Sequence, residues 1–472
     1  MKKLKNSLIC LLLLISSNVF ADFKSLLADF LENNKKIKSA DLAPDLAQKQ
    51  VDILWGAKQW YLSASGGKNV TESRSAQRPT DDFSVGLFNN YNASIFKTFS
   101  WAGELSFNNR VNILNNNEGK VFIQDISYKQ NLGNDFFGMK FRDEVSAAEY
   151  NAQKVASQIK DVDQSLLQQF YMTYNSARLN KTLVERDLNA KKRAEVRRDS
   201  IKKRVNAGLL EKVDLQKGNM GVMYAEEEVK SSKMKLEKDL ADLSSQLSRR
   251  VKEDDIPPYS FDGTKLPSDI TGSVERNFKV EEIKFELSSL DKTLQKINMD
   301  FVPEIQAQGS WAVNGSGASW DDALSNNNLW DSDKVKFSGA ISLVMPLGWE
   351  VNRALKSTKQ IEINQKTYDL DYLMDELINM EKGLKERISL VRKNIASGID
   401  RRLISIEALD ETNKLYYRGR TYLDNVLISE ETLTNTEKGI AGYIFNLEAL
   451  IAQQAILYGK LKENLMSPSL EK

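Results

Sequence analysis

The side chains that carry most enzymatic chemistry are nearly missing from this sequence of 472 residues. It has no histidine and a single cysteine, Cys10, which removes histidine-centred relays, thiolate zinc sites and any disulfide within the chain. Charged residues are abundant and balanced, 66 Lys and Arg against 65 Asp and Glu, and no pair of acids has convincing general acid–base spacing. A net charge of +1 lacks the basic excess that nucleic-acid binding requires, so no nucleic acid is expected, and with the commonest metal ligands missing neither a metal nor a cofactor is expected. The expectation is a protein that is not an enzyme. Its informative residues are seven tryptophans, two glycine turns and the long apolar patterns that must position them.

The amino terminus reads as a secretory signal peptide. Lys2, Lys3 and Lys5 precede an apolar run from Leu8 to Ile15, and Val19-Phe20-Ala21 offers the small-residue spacing of a cleavage site. The run is under half of the roughly 20 residues that a membrane-spanning helix needs. Cleavage removes residues 1–21, Cys10 included, starts the mature chain at Asp22 and brings the charge to −2. Stability then has to come from packing or assembly rather than disulfides. No later stretch reads as a membrane-spanning helix, so the exported chain is either soluble in the periplasm or a β-barrel in the outer membrane.

The eight prolines leave two long stretches with helical periodicity. In the second, Leu370, Leu373, Leu377, Met380, Leu384, Ile388, Val391, Ile395, Ile399, Leu403 and Ile406 recur by threes and fours, one apolar stripe along one helix. The period changes to two in residues 58 to about 135 and 302 to about 348, as in Val335, Phe337, Gly339, Ile341 and Leu343 alternating with Lys336, Ser338 and Ser342. The chain also repeats itself. Asn131-Leu132-Gly133 corresponds to Pro346-Leu347-Gly348 at an offset of 215, and Gly208 corresponds to Gly419 at an offset of 211.

The expected organisation follows: signal peptide 1–21, amino-terminal helices 22–57, first strand region 58–137, first long helical hairpin 138–250, linker 251–273, short helix 274–301, second strand region 302–348, second long helical hairpin 349–462 and tail 463–472. The long helices, at 1.5 Å per residue, reach about 100 Å, a pillar rather than a globular core. All seven tryptophans fall within or beside the strand regions, as in the aromatic girdles of membrane barrels, and Trp60, Trp101, Trp311, Trp320 and Trp330 are the girdle candidates. An open sheet in lipid would leave its edge N–H and C=O groups without partners, so the strands must close into a ring. Two hairpins per chain give four strands, whereas single-chain barrels start at about eight; three copies would give about twelve. Residues 83–113 exceed what one hairpin needs and are expected as an extension beyond the membrane.

The sequence resembles the TolC-like outer-membrane efflux proteins over essentially the whole mature chain. The resemblance rests on the duplicated plan, the segments YKQNLGNDFFG and LVMPLGWEVNRALKSTKQ where strand hands over to helix, and the turns RVNAGLLEKVDLQ and YYRGRTYLDNVL. It implies a mainly α fold with β: duplicated long helical hairpins in a trimeric α-helical barrel, joined to a transmembrane antiparallel β-barrel with four strands per protomer. It further implies a homotrimer in the outer membrane of a Gram-negative bacterium, extending into the periplasm, that exports cargo for an inner-membrane pump. By position, Gly208, Leu209 and Gly419 match the helix-turn tips that meet a periplasmic adaptor (membrane fusion) protein. Asp214 matches the acidic periplasmic gate of the first half; in the second half the matching positions are Asn425 and Ile428, which depart from the acidic pattern, and Asp424 stands one residue early as the remaining gate candidate. The competing readings are a periplasmic coiled-coil adaptor, against which the second hairpin counts, and a soluble structural coiled coil.

Overall fold

In a computed structural model, residues 23–73, 84–113, 119–261, 266–325 and 335–466 are described. The expected leader, with Cys10, and Trp330 lie outside them. Three helices open the described chain, α1 (Phe23–Asn33), α2 (Lys35–Ala40) and α3 (Leu42–Gly56). Four strands follow: β1 (Trp60–Ser73), β2 (Ser84–Thr98), β3 (Gly103–Ile113) and β4 (Lys120–Asn131). The long helix α4 (Met139–Asn206) turns back into α5 (Lys212–Leu247), and the shorter α6 (Phe278–Met299) comes after the linker. The second half runs through β5 (Glu304–Gly317), α7 (Trp320–Ser325), β6 (Val335–Val344), α8 (Glu350–Tyr417), α9 (Leu423–Leu457) and α10 (Leu461–Met466).

The duplication is exact to the residue in its long helices: α4 and α8 both have 68 residues and both begin and end 211 apart. The strand handover is offset by 215 because Met139 follows Gly133 by six residues, whereas Glu350 follows Gly348 by two. A short helical turn at Phe136–Gly138 takes up the extra residues in the first half.

Two compact units divide the chain. The first comprises residues up to Leu42, Ser157–Glu281 and everything from Tyr372 onward. Its core joins Leu26, Leu27 and Phe30 of α1 to Phe170 and Tyr174 of α4, Leu243 of α5 and Ala452 of α9. Phe30 stacks on Phe170 at 4.5 Å between ring centroids. Helix α9 contains a window apolar enough to cross a membrane, contrary to the expectation from the sequence, but 61% of that window is buried within the unit, as in a core helix.

On α8 the expected stripe has Met380 exposed but is buried at Leu377, Leu384, Ile388, Val391 and Ile395. Beyond that point Leu403 and Ile406 are exposed, and the buried row continues instead through Gly398, Ser405, Leu409 and Tyr416. Small residues at 398 and 405 let α9 approach, with Ile440 Cγ1 only 2.9 Å from where a Cβ on Gly398 would stand. An apolar-only pattern skips such positions and follows the wrong row.

The second unit, Ala43–Ala156 with Glu282–Asp371, holds the sheet. Its order is β1-β2-β3-β4-β5-β6, and every neighbouring pair is antiparallel. Among the described residues six strands, not four, are present, and residues 84–113 supply two of them as full members of the sheet. The reason is a tight reversal between β2 and β3. Ala102, at φ 59°, donates its N–H to Phe99 O at 3.1 Å, and Phe99 donates to Gly103 O at 2.7 Å. Trp101 Nε1 donates to Tyr128 Oη at 3.3 Å, Tyr128 Oη to Gln130 Oε1 at 2.6 Å, and Gln130 Nε2 back to Trp101 O at 2.8 Å. The turn is thereby tied to β4.

Candidate functional site

Helix reversal at the two turns needs a residue in the left-handed region, and glycine provides it: Gly208 has φ 73° and Gly419 φ 70°. Each turn closes with the same pair of hydrogen bonds. Gly208 N donates to Val205 O and Leu209 N to Arg204 O, at 3.0 and 2.9 Å. Gly419 N donates to Tyr416 O and Arg420 N to Leu415 O, at 3.0 and 2.9 Å. Behind them Ile201, Leu409, Tyr416, Leu423 and Val426 form one buried cluster, so the two turns are held together within the first unit. Leu209 projects into solvent at 68% exposure, and Arg420, its counterpart in the repeat, is exposed as well.

The three gate candidates have separate local partners. Asp214 Oδ2 accepts the backbone N–H of Glu211 at 3.3 Å, half of a reciprocal cap at the start of α5. Asn425 Nδ2 donates to Thr421 Oγ1 at 2.8 Å. Asp424 alone reaches across to the other turn, where Lys217 Nζ lies 3.4 Å from its Oδ1. Both partners of that pair are well exposed.

A second feature of the same unit escapes the sequence reading. Arg178, Arg186, Arg193 and Arg197 form one stripe on α4, opposite Glu448, Glu437, Thr434 and Glu430 of α9. Arg178 Nη1 lies 2.9 Å from Glu448 Oε1, Arg186 Nη1 3.3 Å from Glu437 Oε1 and Arg193 Nη2 3.2 Å from Thr434 Oγ1. Arg197 pairs with Glu430. Glu437 also accepts from Arg402 Nε of α8 at 2.8 Å. The linker is drawn into this ladder by its aromatics: Tyr259 lies beneath the Arg178 guanidinium at 4.4 Å and Phe261 beneath that of Arg186 at 4.4 Å. Burial opposes the charge on Arg178, but the Glu448 carboxylate beside it raises the guanidinium above its ordinary value. The signal in the sequence is the choice of arginine over lysine at spacings of eight, seven and four along α4.

The sheet has two unlike faces. Leu62, Ile95, Phe107, Ile126, Trp311 and Phe337 stand directly opposite one another in an unbroken apolar row across all six strands. The row beside it, on the other face, reads Ser63, Ser94, Asn108, Asp125, Ala312 and Lys336. Hydrogen bonds join the polar face, including Ser106 to Ser127 and Ser310 to Ser338, both at 2.6 Å between oxygens. Most of the apolar row is exposed, with Phe337 at 80% and Leu62 at 74%. Of the girdle candidates, Trp60 begins β1 and Trp101 lies in the β2–β3 turn, both at one end of the sheet. Trp320 opens α7 beyond the other end, with Lys120 Nζ 4.9 Å from its ring, and Trp311 sits midway along β5. Among the described residues no cluster of acids could hold a metal ion.

Sequence comparison is silent here: no protein-family model and no curated protein matches the chain. The fold is not silent. CusC, described for conformational changes accompanying transmembrane channel formation, superposes with a TM-score of 0.68 at 12% identity, over 94% of this chain and 95% of its own. The outer-membrane channel MtrE of Neisseria gonorrhoeae, in its open state, gives 0.67 at 15% identity, over 95% and 91%. The Campylobacter jejuni outer-membrane channel CmeC gives 0.65 at 12%, over 94% and 89%. This is the TolC-like outer-membrane channel fold. Within the TolC-like fold the glycine turns and the arginine ladder belong to the first unit and the two-faced sheet to the second.

Proposed function

We propose that the chain is the outer-membrane exit duct of a tripartite efflux or type I secretion system. Three copies form a passive channel across the periplasm and outer membrane of a Gram-negative bacterium, driven by an inner-membrane pump and engaged through a periplasmic adaptor. The observation that carries this reading is the sheet with one apolar and one polar face on the same chain as two matched helical hairpins. An uncovered apolar face of this extent suits lipid, and a polar face suits a water-filled lumen. It disfavours a soluble coiled coil, which gains nothing from exposing Phe337, Ile341 and Leu62.

The mechanism makes and breaks no covalent bonds. Opening parts the helix turns, and the Lys217–Asp424 pair is suited to a weak latch, since an exposed ion pair contributes only about 0–1 kcal/mol. A docking partner that covers Leu209 and the turn glycines supplies more than that. Three copies of Asp424 form a cation-attracting constriction, while Asp214 serves the helix cap. Trp60 and Trp101 anchor one membrane interface and Trp320 the other.

The test is isolation of outer membranes, mass measurement in mild detergent and conductance in planar bilayers. A three-chain particle that conducts, with higher conductance in Lys217→Glu, is the expected result. A monomer in the soluble periplasmic fraction would refute the reading.

A further inference from the structure

The sheet carries more strands than the resemblance implies, and the excess lies inside it. Because β2 and β3 stand between β1 and β4 in the hydrogen-bonded order, they cannot be left outside a wall that contains the other four without detaching β1. Their side chains continue the pattern of their neighbours without a break. Ile95 and Phe107 fill the apolar row between Leu62 and Ile126, and Ser94 and Asn108 fill the polar one between Ser63 and Asp125. Length permits all six to cross a bilayer, which takes about 9–11 residues per tilted strand. The shortest, β6, has 10 residues and β3 has 11.

Among the described residues both outer edges are bare. Edge strands of soluble sheets are normally blunted by charge or proline, yet β1 has no charged residue from Trp60 to Gly67 and β6 none from Phe337 to Val344, and neither stretch has a proline. Phe337 and Ile341 on one edge and Leu62 on the other are 80%, 79% and 74% exposed. With five antiparallel pairings in succession, β6 runs opposite to β1, so the last strand of one copy meets the first strand of another in antiparallel sense.

We propose that the partner of each bare edge is a second copy of this chain, β6 pairing with β1, and that all six strands line the wall. Three copies then close a barrel of eighteen strands rather than twelve. This rests on the trimeric channel reading and goes beyond it. At a strand spacing of about 4.8 Å and a tilt of about 40°, the backbone radius rises from about 12 Å for twelve strands to about 18 Å for eighteen. The outer-membrane opening therefore passes solutes that a twelve-strand wall excludes.

The experiment is strand counting by electron cryomicroscopy of the full-length protein in lipid nanodiscs. It is paired with Phe107→Cys and Ser94→Cys, each in a Cys10→Ser background, labelled with a fluorophore and reconstituted with brominated lipid. Eighteen strands, with the label at 107 quenched by lipid and that at 94 not, is the expected result. Twelve strands in the wall, with the β2–β3 segment outside it and residue 107 open to aqueous thiol reagents, overturns the proposal and leaves the channel reading intact. If neither cysteine variant folds, the count on the unaltered protein decides alone. A particle with no closed barrel overturns both readings.

Discussion

One carboxylate, Glu437, serves guanidiniums from two helices, Arg186 of α4 and Arg402 of α8, with its side chain only 7% exposed. Replacing it by Gln leaves two partly buried cations, Arg186 and Arg402, without that counter-charge. Glu437→Gln is expected to cost about 1–3 kcal/mol, read as a lowered thermal transition in detergent. The sequence displays the arginine stripe but not its opponents, since nothing in a charged helix face tells whether water or another helix lies opposite. Tyr458 gives a pH dependence. Burial, then its hydrogen bond to Glu381 Oε1 at 2.6 Å, pushes the phenol up to about 12. An unfolded tyrosine loses its proton near 10. Between those values the native chain holds more protons than the unfolded one, so this group's stabilisation falls as pH rises through that window. Melting curves of the unaltered protein and Tyr458→Phe, compared from pH 9 to 11.5, should show the former losing ground above about pH 10.

The turns were legible as elements because glycine and a helix restart recur at the same offset. A Cβ at Gly208 or Gly419 meets no atom within 4 Å, so the cost of Gly208→Ala or Gly419→Ala is conformational alone. About 1–2 kcal/mol per turn is expected, measurable as faster hydrogen exchange in the last turns of α4 or α8. Strands β2 and β3 were harder to read. Asn108 and Asn109 interrupt the alternation of β3, and the reversal at Phe99–Ala102 takes only four residues, too few to mark a boundary between two strands. Only the pairing register shows that Asn109 and Gln124 stand opposite each other, a polar pair between Ala93 and Val313 on the face that carries the apolar row. The alternation can be tested on neighbouring residues. Ile126→Arg puts a charge on the apolar face and should impair membrane insertion by about 2–4 kcal/mol, whereas Ser127→Arg on the polar face should insert normally. The amount of each variant recovered in the outer membrane distinguishes them.

At the scale of the whole chain, the duplicated plan and the mixed α and β architecture were readable because they depend on periods and offsets that survive divergence. What could not be read was how many strands each half contributes, because a hairpin adds length without altering the order of the elements around it. The repeat is unequal at its tips as well. Leu209 and Arg420 hang from superimposable backbone turns 211 residues apart, one greasy and one cationic. A ring assembled from such chains has the symmetry of its copy number in chemistry and twice that number in shape. A ligand built from identical units and guided by shape fills every tip. One guided by the leucine fills every second tip, so the stoichiometry of the bound partner would report which of the two it recognises.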